Sequence, residues 1–248
     1  MSISSFRVGA ALLAVTVLCW LWIVPMARDM YGPMTGTSGW MMTATWNAPH
    51  LLLLCAMWMV MMAGMMLPSA SPLLLLYNGA LRRAPDARRP ALHLAAMAAG
   101  YLLVWLLFSM AATLLQRALS AALLLTPMME VATPQAAGVL LLTAGIYQWT
   151  PLKGSCLRAC RSPLSFIMQH WRAGMTGAFR MGLGHGLYCL GCCWALMLLL
   201  FAGGVMNLWV IAALTMLVLI EKFAPCGARS SRVTGAALIG AGLWALVR

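Results

Sequence analysis

The chain has 248 residues, of which 63% are hydrophobic and only 8% are charged, whereas roughly a quarter of the residues in an ordinary soluble domain are charged. This composition excludes a soluble globular domain and predicts an all-α polytopic membrane protein, with a single integral membrane domain over residues 1–248. The formal net charge of +12 does not indicate a nucleic-acid partner, because the basic residues lie in particular loops and do not form one amphipathic surface.

Seven segments are apolar enough to be predicted as helices of a transmembrane bundle, since about 20 residues cross about 30 Å of hydrocarbon. In chain order they are residues 8–27, 50–68, 91–115, 135–150, 181–203, 206–221 and 233–247. The count is six to seven, because the fourth and the last two segments are short or interrupted and one of them fits a re-entrant or interfacial helix. The first segment lacks a small-x-small cleavage site and is predicted to be an uncleaved anchor.

The basic residues lie mainly in alternate loops, and their distribution predicts the orientation of the chain. Loops 78–90, 151–180 and 222–232 hold four, five and three Lys or Arg residues, and Arg7 precedes the first helix. Cytoplasmic loops carry the excess of Lys and Arg in membrane proteins. The N-terminus is therefore predicted to be cytoplasmic, and the protein is predicted to be a multi-pass protein of a bacterial inner membrane.

The stretch "GHGLYCLGCCWALM" places one histidine and three cysteines within nine positions of the fifth predicted helix. On a helix, His185, Cys189 and Cys193 share one face, and Cys192 lies beside it. Imidazole and thiolate ligands bind soft or borderline ions, so this face predicts a site for Cu(I), or for Zn(II). The alternative is that the cysteines are small buried hydrophobes and that the histidine bonds to a neighbouring helix.

The second predicted helix carries a dense set of methionines, in a chain that holds 22 of them. The predicted thioether path consists of Met57, Met61, Met62, Met65 and Met66. Thioethers are neutral ligands that hold Cu(I) without burying negative charge, although methionine is also a common core filler. The outward loop continues the pattern with Met26, Met30, Met34, Met41, Met42 and His50, which predicts an acceptor site outside.

A second cysteine pair lies in "PLKGSCLRACRSP", where Cys156 and Cys160 are four positions apart. The flanking cations Lys153, Arg158 and Arg161 are expected to lower the pKa values of the two thiols and to favour thiolates. The pair is predicted to be a cytoplasmic relay site for metal. Thiol exchange ranks below metal because the spacing is not C-x-x-C, and a purely structural role is the other alternative.

Glu221 ends the sixth predicted helix in "LVLIEKF". That helix runs antiparallel to the fifth, so the carboxylate is expected near His185. There it would orient the imidazole by a hydrogen bond, or it would pair with a nearby arginine.

Four motifs occur in the same order between about residues 50 and 240: "MWMVMMAGMMLPSASP", "YQWTPLKGSCLRACRSP", "GHGLYCLGCCWALMLLLFAGGVMNLWV" and "LIEKFAP". Together they resemble a bacterial family of predicted metal-binding integral membrane proteins, a domain of unknown function sometimes labelled copper chaperone. The resemblance implies an inner-membrane protein whose metal ligands are Cys156, Cys160, His185, Cys189, Cys192 and Cys193.

These observations predict a non-enzymatic Cu(I) chaperone or carrier that hands copper to a partner protein or across the bilayer. A metal-donor or metal-acceptor protein and the lipid bilayer are the expected partners. Two other interpretations stay open. One is a membrane thiol-disulfide oxidoreductase that uses a cysteine pair, and the other is a structural membrane subunit. Haem ligation by His50, His93 or His185 is a weaker hypothesis, because two helices would have to converge.

Overall fold

The computed structural model describes residues 3–32, 37–41, 46–82, 89–126, 128–225 and 227–248, and the regular elements in these ranges are helices. In chain order they are α1 (Ile3–Met30), α2 (Thr37–Met41), α3 (Ala48–Leu81), α4 (Pro90–Ala121), α5 (Pro134–Tyr147), α6 (Pro151–Arg161), α7 (Pro163–His170), α8 (Gly174–Leu198), α9 (Leu200–Gly203), α10 (Leu208–Phe223) and α11 (Gly227–Val247). The all-α prediction is therefore confirmed for the described residues.

Within the described residues, five helical stretches are long and apolar enough to cross a membrane. They are Ser5–Met30, Ala48–Leu81, Pro90–Ala121, Gly174–Gly203 and Arg229–Val247. The predicted segments 135–150 and 206–221 become α5 and α10, with 14 and 16 residues. At 1.5 Å per residue these two helices are about 21 and 24 Å long, which is shorter than the hydrocarbon layer of about 30 Å. The seven predicted segments thus correspond to five full-length stretches and two shorter helices.

The sequence predicts that the second helix ends at Pro68. In the structure α3 continues through Pro68 and Pro72 to Leu81. A proline inside a helix leaves the carbonyl four residues earlier without its usual donor. Both freed carbonyls have other partners here. Trp20 Nε1 of α1 donates to the carbonyl of Gly64 at 3.3 Å, and Ser71 Oγ donates to the carbonyl of Pro68 at 2.7 Å. The helix therefore tolerates both prolines.

Helices α4 and α8 pack closely in the same direction through glycines. A Cβ at Gly182 would overlap the carbonyl oxygen of Met97, and a Cβ at Gly186 would lie 2.8 Å from Val104. The later glycine of α8 contacts the later residue of α4, so the two helices run parallel. Small residues of this kind let the backbones of membrane helices approach each other, and they fix the face of α8 that carries the cysteines.

Helix α6 crosses the middle of α8 and does not extend away from the bundle. Cys156 and Cys160 lie one turn apart on α6, yet they contact Gly191 and Cys192, which are neighbours on α8. Tyr147, at the end of α5, donates to the carbonyl of Gly191. Helix α6, in the segment that the sequence predicts as a cytoplasmic loop, is therefore packed against α8.

Candidate metal centre

The predicted ligands on α8 are buried inside the protein. Cys189 is 0% exposed, and Cys192, Cys193 and His185 are 2%, 1% and 3% exposed. The predicted thioether residues are buried with them, namely Met57, Met61, Met62, Met65 and Met66. The described cysteines are free thiols. The structure therefore assembles a sulfur-rich core in the region where the sequence predicts metal handling.

The first sulfur pair joins α6 to α8. Cys192 Sγ lies 4.0 Å from Cys160 Sγ. Two sulfurs bound to one ion at about 2.3 Å each lie at most about 4.6 Å apart, so this pair fits a shared ion. Cys156 lies beside the pair, because a methyl group at Gly191 would be 2.7 Å from Cys156 Sγ. The residues that the sequence assigns to a separate cytoplasmic relay thus belong to the same cluster as the α8 cysteines.

The second sulfur pair joins α8 to α3. Cys193 Sγ lies 4.0 Å from Met66 Sδ, and Tyr101 Oη donates to the carbonyl of Met66 at 3.1 Å. The methionine helix and the cysteine helix are therefore in contact at this point. A thiol beside a thioether in an apolar core is a soft ligand set, which suits Cu(I) better than hard cations.

Cys189 lies between the two pairs, and its thiol faces a buried cation. Lys222 Nζ, at the end of α10, lies 3.0 Å from Cys189 Sγ and also donates to Ser69 Oγ at 2.9 Å. Tyr101 Oη lies 3.1 Å from the same sulfur. A buried ammonium stabilises negative charge on the cluster. Lys222 was expected to be a loop charge, although its position at the end of an apolar helix, next to Glu221, was a signal of a buried ionic residue.

His185 lies one turn from Cys189, in an aromatic setting. Its ring stacks on Tyr101 with centroids 5.9 Å apart and meets the edge of Phe166 at 5.2 Å, and its Nδ1 has no hydrogen-bond partner among the described residues.

The predicted four-ligand site on α8 is not preassembled. Among the side chains that the structure describes, no group of three or more His, Cys, Asp or Glu residues is arranged around one ion position. The physical reason is that the thiols of Cys192 and Cys193 turn back to the carbonyl of Cys189, at 3.1 and 2.8 Å. The sulfurs meet partners on other helices instead.

Of the two alternatives for Glu221, the structure has the ion pair, with Lys153 in place of an arginine, and the carboxylate does not bond to His185. Its carboxylate accepts from Lys153 Nζ at 2.7 Å and from Gln148 Nε2 at 3.2 Å. Lys153 and Glu221 are 1% and 2% exposed, so this is a fully buried ion pair between α6 and α10. It holds α6, with its two cysteines, against the end of α10.

The expected lowering of the pKa values of the α6 thiols also needs correction. Burial raises the pKa of Cys156, and hydrogen bonds to neighbouring sulfurs hold the pKa of Cys160 well above its usual range. The flanking cations are engaged elsewhere. Lys153 binds Glu221, and Arg161 donates to the carbonyl of Ala224 at 2.7 Å. Both thiols are therefore protonated near neutral pH in the absence of an ion.

The predicted outer site is described only in part. His50 is 1% exposed and its Nε2 lies 3.2 Å from the carbonyl of Met41. Met30 and Met41 are buried as well. The predicted residues Met34 and Met42 lie outside the described residues.

Comparison with known proteins adds a family assignment to this geometry. Comparison with curated proteins and with solved structures gives no match. Residues 55–245 match the family described as PpoB2, copper chaperone. The matched range contains α4 to α10 and most of α3 and α11, and therefore both sulfur pairs and Lys222. The chain belongs to the PpoB2 copper chaperone family.

Proposed function

We propose that this protein is a membrane copper chaperone or carrier that holds Cu(I) on sulfur ligands and passes it to a partner or across the bilayer. The observation that carries the proposal is the pair of sulfur contacts, Cys160 with Cys192 and Cys193 with Met66, both at 4.0 Å. Cys160 is half-buried, and the other three residues are buried. Each pair joins two helices. The host membrane in this proposal is a bacterial inner membrane, with the N-terminus in the cytoplasm.

Ligand chemistry supports copper over zinc as the cargo. Zn(II) in proteins prefers four tetrahedral nitrogen, sulfur or oxygen ligands, whereas Cu(I) is stable with two or three sulfur ligands. The sulfurs here come in pairs. A Cu(I) ion on two thiolates carries a net charge of −1, and the ammonium of Lys222 beside Cys189 offsets that charge inside a medium of low dielectric constant.

The buried methionines extend the sulfur cluster along α3. Met57, Met61 and Met65 recur at every fourth position and are each 0% exposed. Neutral thioethers bind Cu(I) without adding charge to the core. In this proposal they form the route by which Cu(I) leaves Met66, and donor and acceptor proteins supply and remove the ion at the two ends.

The test is copper stoichiometry and Cu(I) affinity of the detergent-purified protein, measured by mass spectrometry and by competition with a Cu(I) chelator. We expect stoichiometric copper in the wild type. Cys192→Ser should lower the affinity by about 100-fold, and Met66→Leu by about 10-fold, in line with the loss of one ligand or supporting group. Cys55→Ser is the control, because Cys55 is a free, half-buried thiol of α3. Wild-type protein without copper, or equal losses in the control, would contradict the proposal.

The 4.0 Å contact between Cys160 and Cys192 also favours a second candidate function, a thiol-disulfide oxidoreductase. A disulfide bond requires about 2.05 Å between the sulfurs, so a local movement of α6 would allow it. That function predicts a dithiol that oxidises reversibly and that is insensitive to Met66→Leu. A lower Cu(I) affinity in Met66→Leu separates the two candidates in favour of the chaperone.

A further inference from the structure

A cavity of about 710 Å³ lies where the ends of α5, α6, α10 and α11 meet. Trp149 and Thr150 line one wall, and Arg158, Arg161 and Arg232 line the others. Arg158 and Arg232 are exposed side chains, so the cavity is open to the surroundings of the protein. Its volume is within the range of about 300–1,000 Å³ that is typical of small-molecule sites.

The charged side chains among the described lining residues of the cavity are all basic. Three guanidinium groups line it, and none of its described lining residues is acidic. Glu221, which accepts a hydrogen bond from the lining residue Gln148, is buried in its ion pair with Lys153. Charges of one sign in a recess with low-dielectric walls concentrate counter-ions there. The cavity therefore repels a bare copper cation and attracts an anion.

Helix α6 separates this cavity from the sulfur cluster. Gly154, Ser155 and Arg158 face the cavity, whereas Cys156 lies on the buried side of the same helix, and Cys160 contacts Cys192. Arg158 is held in place by a hydrogen bond from its Nη2 to Ser155 Oγ at 3.0 Å. A molecule in the cavity is thus one helix away from the first sulfur pair.

We propose that this cavity binds Cu(I) as an anionic complex with a small, carboxylate-bearing thiol, and that copper enters the cluster from there. The inference rests on the proposed function and adds the chemical form of the cargo. Cu(I) bound by two thiolates carries a charge of −1, and the carboxylates add further negative charge. The exchange is balanced without a change of oxidation state. Cys160 and Cys192 each lose a proton and bind the ion, and the two displaced thiolates take up those protons and leave as thiols.

The test compares two copper donors on the intact protein. The first is the Cu(I) complex of glutathione, which is anionic, and the second is the Cu(I) complex of acetonitrile, which is cationic. The variant is Arg158→Gln with Arg232→Gln. Arg161 is left unchanged because it binds the carbonyls at the end of α10. The control is Arg117→Gln, an exposed arginine of α4. The readout is the amount of protein-bound copper after increasing times, with free copper removed by a chelator.

We expect loading from the glutathione complex to slow at least 10-fold in the double variant, with no slowing from the acetonitrile complex. The final copper content should be unchanged, and the control should match the wild type. Raising the salt concentration should slow the wild type with glutathione only, because screening weakens the attraction. Normal final copper with unchanged rates would overturn the cavity proposal alone. Wild-type protein that takes up no copper from either donor would overturn the proposed function as well.

Discussion

Replacement of Lys222 by methionine removes a buried cation that contacts the cluster thiol Cys189. Lys222 is 6% exposed, and its Nζ lies 3.0 Å from Cys189 Sγ. At that distance, with an effective dielectric constant of about 20, the attraction between unit charges is about 5.5 kcal/mol. Part of this energy offsets the loss of hydration. Removal of one partner from a buried pair costs about 3–5 kcal/mol of the free energy of unfolding.

The assay is a double-mutant cycle with Lys222→Met and Cys189→Ser, in which unfolding in detergent is followed by tryptophan fluorescence. Lys222→Met alone should cost about 3–5 kcal/mol. In the Cys189→Ser background it should cost far less, because the thiol charge that Lys222 balances is already gone. Lys222→Arg keeps the charge and should retain most of the stability. A coupling energy within about 0.5 kcal/mol of zero, which is the range for independent sites, would refute the pairing.

Three further predictions concern other parts of the bundle. Glu221→Gln should lower the free energy of unfolding by about 3–5 kcal/mol, because Lys153 is left buried and unpaired. The added change Lys153→Met should recover most of this loss. Copper content at equilibrium should stay normal, whereas replacement of a residue that orients a ligand would lower it. Gly182→Ala should be severely destabilising in a thermal melt because its Cβ would overlap a backbone oxygen of α4, whereas Gly240→Ala, with nothing within 4 Å, should be neutral or slightly stabilising. The apparent Cu(I) affinity measured by chelator competition should rise about tenfold per pH unit from pH 7 to 9 for each proton released. The reason is that the raised pKa of Cys160 keeps that thiol protonated until the ion displaces the proton. An affinity independent of pH would show that the thiol is already ionised.

The sequence was sufficient to predict the helical class and the buried sulfur face of α8. Apolar length identifies membrane-type helices directly, and the i, i+4 spacing places Cys189 and Cys193 on one side of a helix whatever surrounds it. Contacts between helices cannot be predicted from such local patterns. The pairing of Cys193 with Met66, or of Cys160 with Cys192, depends on how α3, α6 and α8 approach one another, and no local pattern encodes that approach.

The errors in the sequence analysis have a common cause, which is that charged residues were taken to mark solvated loops. Lys153 and Lys222 are both buried, because Glu221 and Cys189 lie close enough to balance their charges. Helix α6 lies in a segment that was expected to be a loop, and its Lys153 packs against α10 instead of facing solvent. Because Lys153 was placed in a loop, Glu221 was expected to be free to orient His185. In the structure its carboxylate pairs with Lys153.

The two sulfur pairs join positions that are far apart along the chain, 32 residues for Cys160 and Cys192 and 127 residues for Cys193 and Met66. An ion that binds both members of a pair is therefore a removable cross-link, which closes a loop as a disulfide does. Cross-links over loops of these lengths restrict the unfolded chain by about 3–5 kcal/mol. Delivery of the cargo would release that restraint. The empty protein is then the form more open to proteolysis, so its lifetime in the cell would depend on the supply of copper.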